Sequence, residues 1–239
     1  MKKIYKIMLI ALASLVVVIA VGFGVLYHNG LSGMSNLTEP KEDQIRVACI
    51  GDSITYGHGI KNWKKNNYPT KLQEELGNNY HVNNYGVSGF CVQDDSDKPY
   101  TSLNQYQQSI DYNPNTVVFM MGTNDSKPYN WKSPGAFRTA LEDMLAVYES
   151  LGAKIYLCTP ATSFLVDESQ TEETSFDISP KTVEIIAALV RGVAEEHNYT
   201  LIDINNFTED HKEWFKDGVH PDEIGAKEIA KEIAKYIKA

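Results

Sequence analysis

From Ile45 onward, short apolar runs rich in β-branched residues alternate with stretches whose apolar residues recur every three or four positions. A strand covered by helices on both faces has no polar side, so it reads as an unbroken apolar run. Strand and helix in repeated alternation close up as parallel strands joined by crossover helices. The runs Ile45–Ile50, Tyr80–Tyr85, Thr116–Met121, Lys154–Cys158 and Thr200–Ile204 are read as five strands. Phe137, Leu141, Met144, Leu145, Tyr148 and Leu151 mark a helix behind Ser133-Pro134, an N-cap and first-turn pair. Ile186, Val190 and Val193 mark a second helix over 180–197, and Ile229, Ile233, Tyr236 and Ile237 the last one. The expectation is one α/β domain over 45–239, three layers (α/β/α) around a central, mainly parallel sheet of five strands. Its ligand site should lie beyond the carboxyl ends of the strands.

The segment ahead of this domain differs in kind. No charged residue occurs from Ile7 to Tyr27, a run that as a helix spans roughly 30 Å of hydrocarbon. It is longer than the apolar region of a cleaved signal peptide and lacks a small-x-small end, so the expectation is one transmembrane helix, with secretion after cleavage as the alternative. Lys2, Lys3 and Lys6 assign residues 1–6 to the cytoplasm, which places the domain outside the cell or in a periplasm-like space. Residues 28–44, with Gly, Ser, Asn, Pro and charge but no apolar period, read as a flexible tether. Sequons at Asn36, Asn198 and Asn206 matter only in a glycosylating host.

Charge and cysteine usage remove several classes. The net charge is −9, and without the three N-terminal lysines the remainder carries −12, which repels phosphate backbones and argues against nucleic acid as a partner. Cys49, Cys91 and Cys158 form no C-x-x-C pair and read as small core residues. His28, His81, His197 and His211 are scattered without ligand spacing, so neither metal nor cofactor is expected.

Four short motifs fall at predicted strand ends. Ser53, in Gly51-Asp52-Ser53-Ile54-Thr55, follows the first strand, where its hydroxyl and backbone N–H can both face the crevice, although Asp-Ser also serves as a plain helix cap. Asp217 and His220, in Asp217-Gly218-Val219-His220-Pro221, place a carboxylate three residues before an imidazole, a spacing that lets the first orient the second. A serine hydroxyl needs such a base because it is a weak nucleophile at its free pKa. Gly86, in Asn84-Tyr85-Gly86-Val87-Ser88-Gly89, and Asn124, in Gly122-Thr123-Asn124-Asp125, follow two other strands. A backbone N–H and a side-chain amide there suit a developing oxyanion, while glycines and Asn-Asp pairs are also common turn residues.

In the order GDS, G, GTND and DGVHP, the four blocks resemble the SGNH or GDSL hydrolases, from about Ile45 to the C-terminus. The resemblance implies a flavodoxin-like domain and a serine esterase with Ser53 as nucleophile and His220 and Asp217 completing its triad. It implies an oxyanion hole made by the N–H groups of Ser53 and Gly86 and the amide of Asn124. The family includes carbohydrate acetylesterases, lysophospholipases and thioesterases. The block around Asn124 resembles that of sugar acetylesterases, so the expected substrate is an acetyl ester on carbohydrate or cell-surface glycan. Longer acyl chains on lipid, or a non-catalytic glycan-binding role for the same fold, are the alternatives. Tyr129 and Trp131 are candidates to face a sugar ring, or else to pack the base of the following helix, and His58 is a candidate pocket residue. Asp52 and Asp125 are expected to anchor their loops through backbone hydrogen bonds.

Overall fold

The computed structural model describes residues 37–238. The predicted membrane segment 7–27 and the basic end 1–6 lie outside the described residues. Among the described residues no helix is long and apolar enough to cross a membrane.

Five strands form among the described residues: β1 (Ile45–Gly51), β2 (Tyr80–Asn84), β3 (Thr116–Met120), β4 (Lys154–Cys158) and β5 (Thr200–Ile202). All pair in parallel in the order β2-β1-β3-β4-β5, the flavodoxin-like order. Among the described residues eight α-helices accompany them: α1 (Ser53–Tyr56), α2 (Trp63–Asn66), α3 (Tyr68–Leu76), α4 (Asn104–Asp111), α5 (Pro134–Ser150), α6 (Pro180–His197), α7 (Ile204–Thr208) and α8 (Glu223–Lys238).

Alternation along each strand sorts the core into two layers. Val47, Cys49, Val118, Met120, Tyr156, Cys158 and Ile202 face α3 and α8, against Leu72, Ile229 and Ile233. Ala48, Ile50, Val117, Phe119, Ile155 and Leu157 face α5 and α6, against Leu141, Leu145, Ile186 and Val190. Both faces are dry, which is why the strands carry no polar period. Cys49 and Cys158 sit within the first layer, and all three cysteines are buried free thiols. Burial pushes their pKa up, so they remain protonated and inert, as core residues should.

The helix starts follow the local chemistry. Ser133 accepts from the Ala136 N–H at 3.1 Å ahead of Pro134, and Ser179 accepts from the Thr182 N–H at 3.3 Å ahead of Pro180. Asn198, at φ 56°, ends α6.

The first three strands end within one residue of the sequence reading, and two boundaries differ by more. The fifth strand stops at Ile202 rather than Ile204, because Asp203 caps α7 by accepting from the Asn206 N–H at 3.3 Å. The same carboxylate receives Arg191 on both oxygens, at 2.8 and 2.9 Å. Residues 37–44, read as the end of a tether, lie against the sheet edge. Thr38 donates its N–H to Asn83 Oδ1 at 3.1 Å and its hydroxyl lies 2.8 Å from His81 Nε2, while Gln44 donates to the Asn78 carbonyl at 2.8 Å. Leu37 packs on the core layer beneath. Polar composition concealed this, since the segment is held by hydrogen bonds to β2 rather than by an apolar face of its own.

The chain leaves β1 for β2 on one side and then crosses back from β2 to β3 on the other side of β1, so the order reverses at β1. Gly51 at the end of β1 pairs with Met120 on β3, and Cys49 pairs with Asn84 on β2. The loops carrying Ser53, Gly86–Gly89 and Asn124 therefore leave three adjacent strands at one rim.

Candidate active site

Ser53 opens α1 immediately after β1. Asp52 caps that helix, accepting from the Ile54 N–H at 2.9 Å, so the expected loop anchor is present. Burial pushes the Asp52 carboxyl up, and the Ile54 bond only partly offsets it. As the first helical residue, Ser53 keeps a backbone N–H with no partner inside the helix.

The segment 217–220 reaches the same rim. Asp217 Oδ1 accepts from the N–H groups of Val219 and His220, at 2.9 and 2.8 Å, and its Oδ2 lies 2.8 Å from His220 Nδ1. His220 Nε2 lies 2.9 Å from Ser53 Oγ. Partial burial by itself would raise the Asp217 carboxyl, but the imidazole and the two N–H groups hold it down at about 2. An ionised carboxylate only accepts, so Nδ1 carries the proton and Nε2 accepts from the serine hydroxyl. Hydroxyl, imidazole and carboxylate thus stand in hydrogen-bonded series, as the motif spacing anticipated.

The two remaining blocks are stitched together by Asp125. Its carboxylate accepts from the N–H groups of Val92 and Gln93 at 3.0 and 2.9 Å, tying the loop after β2 to the loop after β3. Complete burial outweighs these bonds and raises its pKa to about 6. Asn124, one residue earlier, donates from Nδ2 to the Phe90 carbonyl at 3.2 Å and lines the cleft. The second amide hydrogen remains for a ligand.

Gly86 does not occupy the place expected of it. Its N–H is taken by Asn84 Oδ1 at 2.8 Å, and a Cβ on it would stand 2.3 Å from the Tyr56 nitrogen. It is glycine because the loop passes against the backbone of α1, a packing reason. Gly89, at φ 89°, lines the cleft beside Ser53 and Asn124, and among the described residues its N–H has no hydrogen-bond partner. In this loop the unpaired N–H at the cleft is that of Gly89, not that of Gly86. Both glycines follow the same strand within one short loop, and only the fold of the loop distinguishes them.

The cleft holds about 160 Å³ and is lined by Ser53, His58, Gly89, Asn124, Phe176 and His220, among others. His58 lines it as the sequence allowed, its ring 4.5 Å from that of His220. Trp131 instead packs on the core, its ring 6.3 Å from Phe137 at the start of α5, and Tyr129 is 51 % exposed beside Lys127. Neither lines the cleft. Residues the sequence reading passed over do: Lys127, Phe176, Ile178 and Val219. Phe176 and Ile178 lie in the long connection between β4 and α6, whose lack of periodicity offered no signal.

Comparison with known proteins agrees with this arrangement. Residues 49–227 match the GDSL-like Lipase/Acylhydrolase family. An acetylxylan esterase from Xylanibacter ruminicola is 36 % identical over 245 residues, which is 91 % of this chain and 49 % of that protein, so the chain spans about half the length of the curated relative it matches. Among solved structures, the aryl esterase of M. smegmatis superposes with a TM-score of 0.65 at 18 % identity, covering 81 % of this chain and 98 % of the other. Est24, a carbohydrate acetylesterase from Sinorhizobium meliloti, gives a TM-score of 0.65 at 16 % identity over 82 % and 99 %. At such identities the likeness is one of fold, and the family model and the curated relative carry the assignment. The chain belongs to the GDSL-like lipase/acylhydrolases, the SGNH hydrolases, a family of carboxylic ester hydrolases.

Proposed function

We propose that this chain is a serine esterase that removes acetyl groups from carbohydrate through an acyl-enzyme on Ser53. The observation that carries the reading is the 2.9 Å approach of Ser53 Oγ to His220 Nε2, with Asp217 bracing the far side of the ring at 2.8 Å.

His220 takes the Ser53 proton as Oγ bonds to the ester carbonyl carbon, and the carbonyl electron pair moves onto oxygen. The N–H groups of Ser53 and Gly89 and the Asn124 amide receive that oxyanion, each fixed donor of this kind contributing about 2.7–4 kcal/mol. Collapse breaks the ester C–O bond, and His220 returns its proton to the departing alcohol. Water then attacks the acyl-enzyme with His220 again as base, releasing acetate and restoring the serine.

Two observations favour a short acyl group on a sugar. The relative from Xylanibacter ruminicola is named for acetylxylan, and the cleft of about 160 Å³ is below the roughly 300 Å³ at which pockets for larger organic ligands begin. The uncharged run Ile7–Tyr27 behind Lys2, Lys3 and Lys6 supports an anchored enzyme facing glycans outside the cytoplasm.

Ser53→Ala tests the mechanism: hydrolysis of an activated acetate ester should fall at least about 1,000-fold, and a loss under tenfold would remove Ser53 from the role. Comparing acetyl with octanoyl esters tests the substrate, and a preference for octanoyl would move the reading to lipid.

A further inference from the structure

Phe176 is an apolar side chain left 38 % exposed on the wall of the cleft. Single exposed apolar residues are ordinary on protein surfaces, but this one is held in place. The Thr174 hydroxyl accepts from the N–H groups of Phe176 and Ile178 at 3.2 and 3.3 Å, and the Thr174 N–H donates to the Ile178 carbonyl at 2.9 Å. Asp177 turns the chain at φ 59°. Ile178 is buried with Val183 of α6 and with Val219, the neighbour of His220. The turn that presents Phe176 is thereby fixed to the segment that carries the catalytic imidazole.

The ring itself stands 4.9 Å from the His220 ring with the planes at 90°, and 6.2 Å from His58 with the planes at 85°. This places it on a definite side of the reaction. The proton that His220 carries goes to the departing alcohol, so the alcohol half of the ester must pass beside this imidazole, whereas the carbonyl oxygen points to Gly89 and Asn124. An aromatic ring flanking His220 consequently meets the alcohol. A pyranose or similar sugar ring offers an apolar face of C–H groups and a rim of hydroxyls, and a fixed phenyl ring matches that face.

We propose that Phe176 is the specificity-determining residue for the alcohol half of the substrate, the platform on which the C–H face of an acetylated sugar ring lies. The inference rests on the reading of Ser53 as an acetylesterase nucleophile. It transfers to Phe176 the sugar-facing role for which Tyr129 and Trp131 were candidates, since neither of those lines the cleft.

The test compares kcat/KM for an acetylated xylo-oligosaccharide with kcat/KM for ethyl acetate, which has no ring to stack, in the full chain and in Phe176→Ala and Phe176→Trp. Loss of about 50 Å² of apolar contact predicts a roughly tenfold fall in the oligosaccharide-to-ethyl-acetate ratio for Phe176→Ala, expressed mainly in KM. Phe176→Trp should keep the ratio within about threefold of the parent, because it restores an aromatic face. A ratio that stays constant in Phe176→Ala while kcat falls on both esters would overturn the proposal, leaving Phe176 as a brace for His220. Faster hydrolysis of an octanoyl ester by Phe176→Ala, with the ratio preserved, would overturn it too, by placing the ring on the acyl side. Both results leave the esterase reading standing. That reading fails separately if Ser53→Ala retains activity.

Discussion

Replacing Gly86 and Gly89 by alanine, one at a time, separates the packing glycine from the one that borders the cleft. A Cβ at residue 86 would stand 2.3 Å from the Tyr56 nitrogen, 2.7 Å from the Thr55 carbonyl carbon and 2.8 Å from Thr55 Cβ. Non-bonded heavy atoms settle at about 3.5–4.0 Å, so something must retreat by roughly 1 Å. Two of the three atoms are backbone of α1, and no rotamer change can relieve them. Overpacking of this kind costs about 1–3 kcal/mol. Displacing the loop also strains the bond from the Gly86 N–H to Asn84, which adds about 1 kcal/mol. A total of about 2–4 kcal/mol predicts a fall in Tm of roughly 4–16 °C for a domain of this size. Because α1 begins at Ser53, the labelling of that serine by a fluorophosphonate should slow as well. At residue 89 a Cβ would come no closer than 3.6 Å, to Lys98 Nζ, so the cost is confined to the positive φ, about 1–2 kcal/mol. Gly89→Ala should melt within about 8 °C of the parent and lose at least about tenfold in kcat on an acetate ester, because relaxing the positive φ swings its N–H away from its present place at the cleft. Thermal unfolding followed by circular dichroism, with steady-state kinetics on the same preparations, reads both. The argument is refuted if Gly86→Ala melts within about 2 °C of the parent with normal labelling, or if Gly89→Ala keeps full kcat.

Asp217→Asn should lower kcat by on the order of 10⁴ with little loss of stability. The amide oxygen must keep facing the N–H groups of Val219 and His220, which leaves its NH₂ against Nδ1 and forces the wrong imidazole tautomer; kinetics at saturating ester checks it. Asp125, held at about 6 by burial, opposes folding when ionised, so stability should rise as pH falls from about 7 toward 4. Asp217, held at about 2, has the opposite sign, and its contribution is present above about 4 and lost as pH falls through about 2. Melting temperatures from pH 3 to 8 read both, and a flat profile for the parent between pH 5 and 7 would contradict the first. Trp131→Ala should cost about 1–3 kcal/mol by uncovering the core layer around Phe137, on which it is partly buried, whereas Tyr129→Ala should leave both Tm and sugar-ester kinetics near the parent values; a large kinetic loss in the second would return Tyr129 to the substrate.

The periodicity of the chain determined the layers, because dry strands and one-sided helices impose their patterns locally, and each predicted strand was found with its start where expected. The Asp217 and His220 pair was legible for the same reason: three residues of one turn suffice to bring carboxylate and imidazole together. Asp125 was recognisable as an anchor from its place after a strand. The meeting of Ser53 with His220 was expected from the order of the motifs, but the finer contacts that span long sequence separations were not readable. The choice of Gly89 over Gly86 depends on which N–H Asn84 captures and on how closely the loop passes Tyr56. The seat of Phe176 depends on Ile178 meeting Val183 and Val219. The docking of residues 37–44 depends on the hydrogen-bonding edge that β2 presents. Local patterns encode which face of an element is apolar, whereas the cleft is assembled by loops from five strand ends, and their meeting is decided only when the whole sheet has closed.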